Sequence, residues 1–366
     1  MTDLSRRRLL AAAGAAACAP SLGWADAGGP VFLAAARERD GRYALHGLSA
    51  EGASLFALPL PGRGHAAAAH PRRPEAVAFA RRPGRFALVI DCAEGRERAR
   101  LTPPTGRAFC GHGAYSADGA LLFTTENAFE AGEGRLGVWD AGAGYRRLGE
   151  VPTLGVGPHE VVLAPDGASL VVANGGILTH PDSGRAKLNL ATMRPNLARL
   201  SAVDGGVIDR VEAAPALRRN SLRHLAVRAD GLVACAAQWE GDLREVPPLL
   251  ALWRPGDSRL TWRGAPAETQ SRTRGYAGSV ATSANGELAA LTAPRGGVAL
   301  VFSGADFAFE RAIDLRDVCG VAAAAEGLVF TDGDGGAAAL ANGILEARRT
   351  SNRSWDNHLV SVPAQS

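Results

Sequence analysis

Short runs of apolar and small residues, each broken by a polar turn, follow one another through most of this chain. Four dipeptides separate two such runs each: Asp118-Gly119, Asp166-Gly167, Asp230-Gly231 and Asn285-Gly286. Asp-Gly or Asn-Gly between apolar runs is the strongest short-range signal for a two-residue hairpin turn. Because helical periodicity is scarce, the pattern predicts an all-β protein built from antiparallel hairpins.

The hairpins recur at a nearly regular spacing. With Gly327 as a degenerate fifth copy, the turn glycines are 48, 64, 55 and 41 residues apart. This is close to the period of about 40 to 50 residues that is typical of propeller blades, and the longer intervals indicate insertions. An earlier copy begins at Gly64, and further β-runs after the hairpins complete four-stranded meanders. Six blades are therefore predicted between about residues 64 and 345.

A seventh blade is predicted from the two ends of the chain. Residues 31–60 supply three β-runs, and NHLVSV from Asn357 supplies one. A ring without open sheet edges forms if this last run becomes the innermost strand beside the N-terminal runs. The predicted fold is therefore an all-β, seven-bladed β-propeller closed by a C-terminal strand that joins the N-terminal strands. It forms a single domain over residues 28–366, with a loop insertion at about 176–222.

The first 27 residues have the pattern of an export signal. Residues 5–10 read SRRRLL, an apolar stretch of small residues follows over 11–19, and Ala25-Asp26-Ala27 provides a cleavage site. The paired arginines resemble a twin-arginine signal, and the apolar stretch is too short to span a bilayer. The sequence thus predicts export to the periplasm by the twin-arginine pathway and no transmembrane segment. A lipoprotein acylated at Cys18 is the alternative.

Charge and cysteine content narrow the class further. The net charge is +3, from 40 basic and 37 acidic residues, which is too balanced for a surface that binds nucleic acid by releasing counterions. Four cysteines follow the predicted signal, which permits disulfides in an oxidising compartment. Cys92 and Cys110 are expected on the same rim of adjacent blades, and the sequence leaves undecided whether they form a disulfide. Cys235 and Cys319 are two blades apart and are expected to be free.

Five of the eight histidines share one position in the repeat, at the start of the innermost strand. They are His65, His112, His159, His224 and His358. Imidazoles with nearby carboxylates are ligands for transition metals, here with Fe, Cu and Zn as the candidates. Since metal–nitrogen bonds are only about 2.0–2.1 Å long and a propeller channel is wide, the favoured set is three neighbours, His112, His159 and His224. Alternatively, the histidines are structural and fix the loops between blades.

Other polar residues are expected at the same rim, because the second strand of each antiparallel blade ends where the first begins. Asp91 is placed there as the end of the second strand of blade one. Together with the first strands and the insertion, these ends provide the predicted ligand-binding residues: Glu126, Asn127, Glu160, Asn174, His180, Arg185, Lys187, Arg223, Gln238 and Glu240. The insertion is either a lid over the channel mouth or an ordinary surface loop.

Several segments resemble a family of twin-arginine-exported propellers catalogued as domain of unknown function 1513. The most specific are THPDSGR with KLNL, GHGAYS from Gly111 and WDNHL from Trp355, and the resemblance covers nearly the whole mature chain. Members are often encoded beside imelysin-like and di-haem peroxidase-like proteins, which implies partners of this kind and a periplasmic role in iron uptake. The family has no assigned activity, so the resemblance transfers no catalytic residue. WD40 and YVTN-type propellers are similar only in architecture.

Three functions remain open from the sequence. The leading hypothesis is binding of a metal ion or a metal-bearing ligand at the histidine-lined channel mouth, as an accessory of iron uptake. The second is a protein-interaction platform whose rim and insertion dock a partner. The third is a lactonase-like or dehydrogenase-like propeller enzyme, in which Glu126 or Glu160 would face a bound divalent ion. Known nucleophile, zinc-protease and phosphate-loop motifs are absent from the sequence, so enzymatic activity is not favoured.

Overall fold

A computed structural model describes residues 22–363, apart from 83 and 185. Within this part of the chain, 28 strands form seven four-stranded antiparallel sheets. Blade one consists of β4 (Gly64–Ala69), β5 (Glu75–Ala80), β6 (Ala87–Asp91) and β7 (Arg96–Leu101), and blade two of β8 (Arg107–Tyr115), β9 (Leu121–Ala128), β10 (Glu133–Asp140) and β11 (Arg146–Pro152). Blade three consists of β12 (Pro158–Leu163), β13 (Ser169–Asn174), β14 (Asn196–Ser201) and β15 (Val207–Glu212), and blade four of β16 (Asn220–Val227), β17 (Val233–Trp239), β18 (Leu250–Trp253) and β19 (Thr261–Arg263).

The remaining blades follow the same plan. Blade five consists of β20 (Ser279–Thr282), β21 (Leu288–Ala293), β22 (Val298–Ser303) and β23 (Phe309–Asp314), and blade six of β24 (Val318–Ala324), β25 (Gly327–Asp332), β26 (Gly336–Ala341) and β27 (Ile344–Thr350). Blade seven consists of β28 (Arg353–Ser361), β1 (Phe32–Glu38), β2 (Tyr43–Leu48) and β3 (Ser54–Leu60). One short α-helix (Ala267–Ser271) and three 3-10 turns (Pro181–Ser183, Pro215–Leu217, Pro294–Gly296) connect described strands, and a fourth 3-10 turn (Trp24–Ala27) precedes β1. Among the described residues, none of the helices has the length and apolar character to cross a membrane.

The ring closes in blade seven, as the sequence predicts. Strand β28 pairs antiparallel with β1, with Ala34 opposite Leu359 and Phe32 opposite Ser361. Both ends of the chain therefore share one sheet, and the predicted seven-bladed all-β propeller is confirmed. This pairing also places His358 on the innermost strand.

Apolar layers hold neighbouring blades together. Seven clusters of buried side chains lie between successive sheets, including one between blades seven and one. Large side chains such as Phe79, Trp253 and Phe302 are fully buried in these layers, with many alanines around them. Because strands alternate their side chains between faces, each blade supplies two such layers. The core is therefore a ring around the channel, which leaves the channel wall to polar residues.

The hairpin turns lie where the sequence places them, but their type differs from the prediction. At Asp118-Gly119, Ser116 N donates to Leu121 O and Gly119 N donates to Ser116 O, so the loop has four residues rather than two. Gly119 adopts a φ of +75°, which glycine tolerates best. Asp118 Oδ1 accepts a hydrogen bond from Ala120 N at 2.9 Å, and this side-chain bond stabilises the longer loop.

Blade one departs from the predicted strand assignment. Its hairpin contains no Asp-Gly, and its second strand is β5, so Asp91 ends the third strand instead. A third strand ends at the turn rim, which puts Asp91 and Cys92 on the opposite rim from Cys110. Cys92 and Cys110 therefore do not form the disulfide that the sequence left undecided. All four described cysteines are free thiols, as expected for Cys235 and Cys319.

The insertion is shorter than predicted. The range 176–222 contains β14 and β15, which are the regular third and fourth strands of blade three. The additional chain is concentrated in residues 175–195, which we call the strap. Asn189 holds the strap in shape, since its Oδ1 accepts from Leu178 N at 2.7 Å and its Nδ2 donates to Gly176 O at 2.9 Å.

Candidate functional site: the channel histidines and the mouth pocket

The five histidines that share a register meet in the central channel. Eight pairs of their rings have centroids 4.5–5.9 Å apart. His224 of blade four and His358 of blade seven approach most closely, at 4.5 Å, although two blades separate them around the ring. The channel is therefore narrow at this level, and histidines of non-adjacent blades come together as closely as the three neighbours favoured from the sequence.

Irregular pairing in the innermost strands accounts for this convergence. The register between first and second strands shifts beside every one of the five histidines. In β12, for example, Pro158 pairs with Asn174 and Glu160 with Ala173, so His159 is an extra residue without a partner. A bulge of this kind re-aims the side chains around it. The hydrophobic pattern places the histidines on the right strands, whereas the bulges turn them into the channel.

Two sets of three histidines each bring nitrogen atoms within 4.8 Å of one another. One set is His65, His112 and His159, and the other is His112, His224 and His358. The trio favoured from the sequence, His112, His159 and His224, is neither of these. Three nitrogens bound to one ion at about 2.0–2.1 Å are at most about 3.5 Å apart, so each set needs only a small inward movement to hold a metal.

Glu160 lies directly behind the second set. Its Oε1 is 3.6 Å from His112 Nδ1 and its Oε2 is 3.3 Å from His224 Nδ1, while Leu225 N donates to Oε2 at 2.9 Å. An ionised carboxylate accepts only, so it favours the tautomers in which both histidines carry the proton on Nδ1. Their Nε2 atoms then point away from Glu160, the usual arrangement of a carboxylate behind a metal-binding histidine. His112 Nε2 lies 3.2 Å from His65 Nε2, a contact that a bound metal would replace.

Burial tunes the protonation of this cluster. Burial lowers the pKa of His358 well below its usual range, and the nearby His224 and His112 add to this effect. Burial also lowers the pKa of His224, although Glu160 opposes the shift. For Glu160, burial alone would raise the pKa, but His112 and His224 hold it well below its ordinary value. Metal binding requires neutral imidazoles beside an ionised carboxylate, and the directions of these shifts for His224, His358 and Glu160 favour those states.

The histidines outside the channel have a different bonding pattern. His46 bonds through both ring nitrogens, to Ser54 Oγ at 2.8 Å and Glu38 Oε1 at 2.6 Å. His70 does the same, with Gly119 O at 3.1 Å and two backbone N–H groups on the other side. By contrast, four channel histidines each have a buried ring nitrogen without a hydrogen-bond partner: His65 Nδ1, His159 Nε2, His224 Nδ1 and His358 Nε2. For His224 this nitrogen is the one that faces Glu160 Oε2 at 3.3 Å.

Above His159, the channel opens into a pocket under the strap, which we call the mouth pocket. Its lining includes Arg82, Cys110, Asn127, His159, Lys187 and Arg223. The strap reaches it from both sides, because Asn127 Nδ2 donates to Thr179 O at 2.9 Å and Lys187 pairs with Glu240. The described residues of the strap therefore lie over this part of the rim, and the pocket below them is lined by three cationic side chains.

The remaining sequence-predicted residues lie outside both sites. Glu126 is fully buried in a bidentate ion pair with Arg147, at 2.7 and 2.9 Å, and burial raises its pKa. Asn174 bonds to Asn196 of blade three and to Thr153, which follows the last strand of blade two. Gln238 Nε2 donates to Ala277 O between blades four and five. His180 packs against Phe129 and lies 3.4 Å from Glu130 on the strap surface. These four residues have structural contacts instead of ligand-binding positions, and Arg185 lies outside the described residues.

Two residues of the mouth pocket were missed by the sequence reasoning. Arg82 follows the true second strand of blade one and therefore reaches the histidine rim, where Asp91 was expected instead. Cys110 was considered only as a disulfide partner, but its thiol lines the pocket, and burial raises its pKa to about 12. The signal for Arg82 was the run Ala80-Arg81-Arg82 after an apolar strand, which the absence of an Asp-Gly turn concealed.

Comparison with known proteins adds a family but no activity. The profile of a family described as protein of unknown function (DUF1513) matches residues 58–362, which extend from the end of blade seven's N-terminal strands through all other blades to β28. No curated protein matches the sequence.

Proposed function

The chain belongs to the DUF1513 family, and on the geometry of its channel we propose that it binds a divalent transition-metal ion through His112, His224 and His358. Zinc, copper and iron are the candidates, since imidazole suits all three. Glu160 is the positioning carboxylate that fixes the tautomers of two ligands. The ion, alone or as part of a metal-bearing ligand, would supply Lewis acidity when bound.

A single contrast carries the proposal. Where a histidine of this chain serves the fold, as His46 and His70 do, both ring nitrogens are bonded. In the channel, buried nitrogens lack partners, and each such atom costs about 1–3 kcal/mol unless something satisfies it. In the proposed set the ion would satisfy His358 Nε2, while His224 Nδ1 faces Glu160 Oε2 at 3.3 Å. An interaction platform with structural histidines offers no reason to bury unpaired nitrogens.

Of the two sets of histidines, the one with Glu160 is favoured because of the neighbours of His159. Arg223 Nη1 lies 3.3 Å from His159 Nδ1, and a guanidinium can only donate. His159 Nδ1 is therefore the acceptor, and its Nε2 carries the proton, so neither nitrogen has a free lone pair. His65 Nε2, 3.2 Å from His112 Nε2, would give up that contact when an ion binds His112.

Titration of the metal-free full chain with Zn²⁺, Cu²⁺ and Fe²⁺ tests the proposal. We expect one ion per chain, and we expect H112A, H224A and H358A each to weaken its affinity at least tenfold. H180A is the matched control, because His180 lies on the same rim outside both sets. Since His224 and His358 each have an unpaired nitrogen, H224A and H358A should cost the metal-free protein less stability than H70A does. The proposal fails if no ion binds, or if H180A weakens binding as much as H112A.

We further propose that the chain is exported to the periplasm and acts there in iron uptake beside imelysin-like and di-haem peroxidase-like proteins. The arginine pair and apolar run within residues 1–27 and the family resemblance support this. Residues 1–21, including Cys18, lie outside the described residues. Trp24 is buried and donates from Nε1 to His70 O at 2.9 Å, so cleavage after Ala27 would remove a contact of the propeller.

The N-terminus of the protein recovered from the periplasm distinguishes the two forms of export. A first residue of Gly28 supports cleavage after Ala27 and loss of the Trp24 contact. A lipid-bearing Cys18 as first residue would contradict that cleavage and would retain Trp24 in its place. Recovery of the protein only from the cytoplasm would contradict export altogether.

A further inference from the structure

The mouth pocket combines positive charge with buried polar atoms that have no partner. Arg82, Lys187 and Arg223 line it, and no carboxylate is among the described residues of its lining. Glu240 contacts two of these cations, since it pairs with Lys187 and lies 3.8 Å from Arg223 Nη2. Lys187 and Arg223 share this one carboxylate, which leaves an excess of positive charge that favours an anion.

Two unpaired atoms of the lining residues are donors. Arg223 Nε is buried and unpartnered, and so is His159 Nε2, which carries a proton because Arg223 donates to Nδ1 of the same ring. Burying a guanidinium without full compensation is unfavourable. The Arg223 donor is matched by the oxygen atoms of a carboxylate or phosphate, to which guanidinium groups bind in bidentate fashion.

The third unpaired atom is an acceptor. Asn127 is 5% exposed, and its Nδ2 is committed to Thr179 O at 2.9 Å, which fixes the orientation of its amide. Its Oδ1 is buried without a partner. An acceptor at this place requires a donor on the ligand, and among anions a hydroxyl group provides it.

We propose that the mouth pocket binds a small oxyanion that carries a hydroxyl group, of the hydroxycarboxylate or hydrogen phosphate class. Its charged oxygens bind Arg223 and Lys187, and its hydroxyl donates to Asn127. None of the three proposed metal ligands belongs to this site. The inference therefore stands on its own and is tested on metal-free protein, so that its failure and the failure of the metal proposal are separate results.

Calorimetric titration of the metal-free full chain with L-malate, succinate and inorganic phosphate is the first test. Malate and succinate differ only in the hydroxyl group, and one hydrogen bond to a buried acceptor is worth about tenfold in affinity. We expect malate or phosphate to bind, with malate about tenfold tighter than succinate, and N127A to remove that difference. Tighter phosphate binding assigns the phosphate class, whereas tighter malate binding assigns the hydroxycarboxylates. No binding of either, or equal binding of malate and succinate, overturns the proposal.

Charge variants and a chemical probe provide the second test. R223Q should weaken binding at least tenfold, while R244Q should not, because Arg244 is exposed on the same rim and outside the pocket. K187M is the second variant, since Lys187 is partly exposed and less needed for folding. Lys187 is also the only lysine of the sequence. The ligand should protect it from amine acylation, as measured by peptide mass mapping, and unchanged acylation at saturating ligand would contradict the assigned place.

Discussion

Replacing Glu160 by glutamine removes the charge behind the histidines while keeping the shape of the side chain. The carboxylate faces His112 Nδ1 at 3.6 Å and His224 Nδ1 at 3.3 Å, and it accepts from Leu225 N at 2.9 Å. A glutamine has only one acceptor atom, and its NH₂ group must face one of the histidines. That histidine is then forced to accept on Nδ1 and to protonate Nε2, which removes one metal ligand.

The size of the effect follows from this loss. Substituting the partner of a metal-binding histidine weakens metal affinity about 10- to 100-fold, which corresponds to about 1.4–2.7 kcal/mol of binding free energy. We therefore expect E160Q to bind Zn²⁺ 10- to 100-fold more weakly than the unchanged protein. Co²⁺, whose absorption reports its coordination, should lose the signature of three nitrogen ligands.

The assay is competition of the metal-free full chain against a chelator of known affinity at neutral pH. E97Q is the matched control, because Glu97 is exposed on β7 and pairs only with Arg100 among the described contacts. Thermal unfolding of the metal-free variants separates misfolding from a local effect. The reasoning is refuted if E160Q folds normally and binds Zn²⁺ within threefold of the unchanged protein.

Three further outcomes are expected. Burial lowers the pKa of His46 to about 4 and of His70 to about 3. Below pH 6.5 the unfolded chain therefore binds more protons at these two histidines than the folded chain does. Their contribution to folding stability is present above pH 6.5 and is lost as the pH falls towards 4 and 3. Denaturant unfolding at pH 5.5 should show a loss of about 1.4 kcal/mol for each of these histidines relative to pH 7.5, and equal stability at both values would contradict this. Gly111 has a φ of +102°, and an added Cβ would lie 2.7 Å from His65 Cδ2. G111A should therefore lower the stability of the fold by about 1–3 kcal/mol and should also lower the metal affinity. G144A is the control, because Gly144 has a positive φ but open space around it, and it should leave the metal affinity unchanged. W24A in the full chain should cost about 3–5 kcal/mol of stability, measured by denaturant unfolding, and a negligible change would show that Trp24 is not part of the folded ring.

The fold was accessible from the sequence because turns and apolar runs are local signals. Each Asp-Gly or Asn-Gly turn marks the first hairpin of one blade, and a closing strand is required wherever sheet edges would otherwise be exposed. Blade one lacks this punctuation, and for that reason Asp91 was placed on the wrong rim and Arg82 was overlooked. The register of the histidines was equally local and was read correctly.

The composition of the site was less accessible, because it depends on bulges and on contacts across the channel. A periodic pattern cannot show that His159 is an extra residue in β12, nor that His224 approaches His358 of another part of the ring. Glu126 and Glu160 are equivalent as carboxylates near the rim in the sequence. Their partners distinguish them: Glu126 pairs with Arg147 and is structural, whereas Glu160 faces the histidines and is the proposed positioning residue.

His358 lies on β28, the last strand of the chain, whereas the other two proposed ligands lie on blades two and four. Until β28 pairs with β1, the metal set lacks its third member, so an ion can bind tightly only to a chain whose two ends have already met. Metal binding would then stabilise only the closed ring, by about 2.7 kcal/mol when the free ion is at 100 times its dissociation constant. A bound ion would therefore stabilise the closure of the ring, and occupancy of the metal site would show that a molecule has completed its fold.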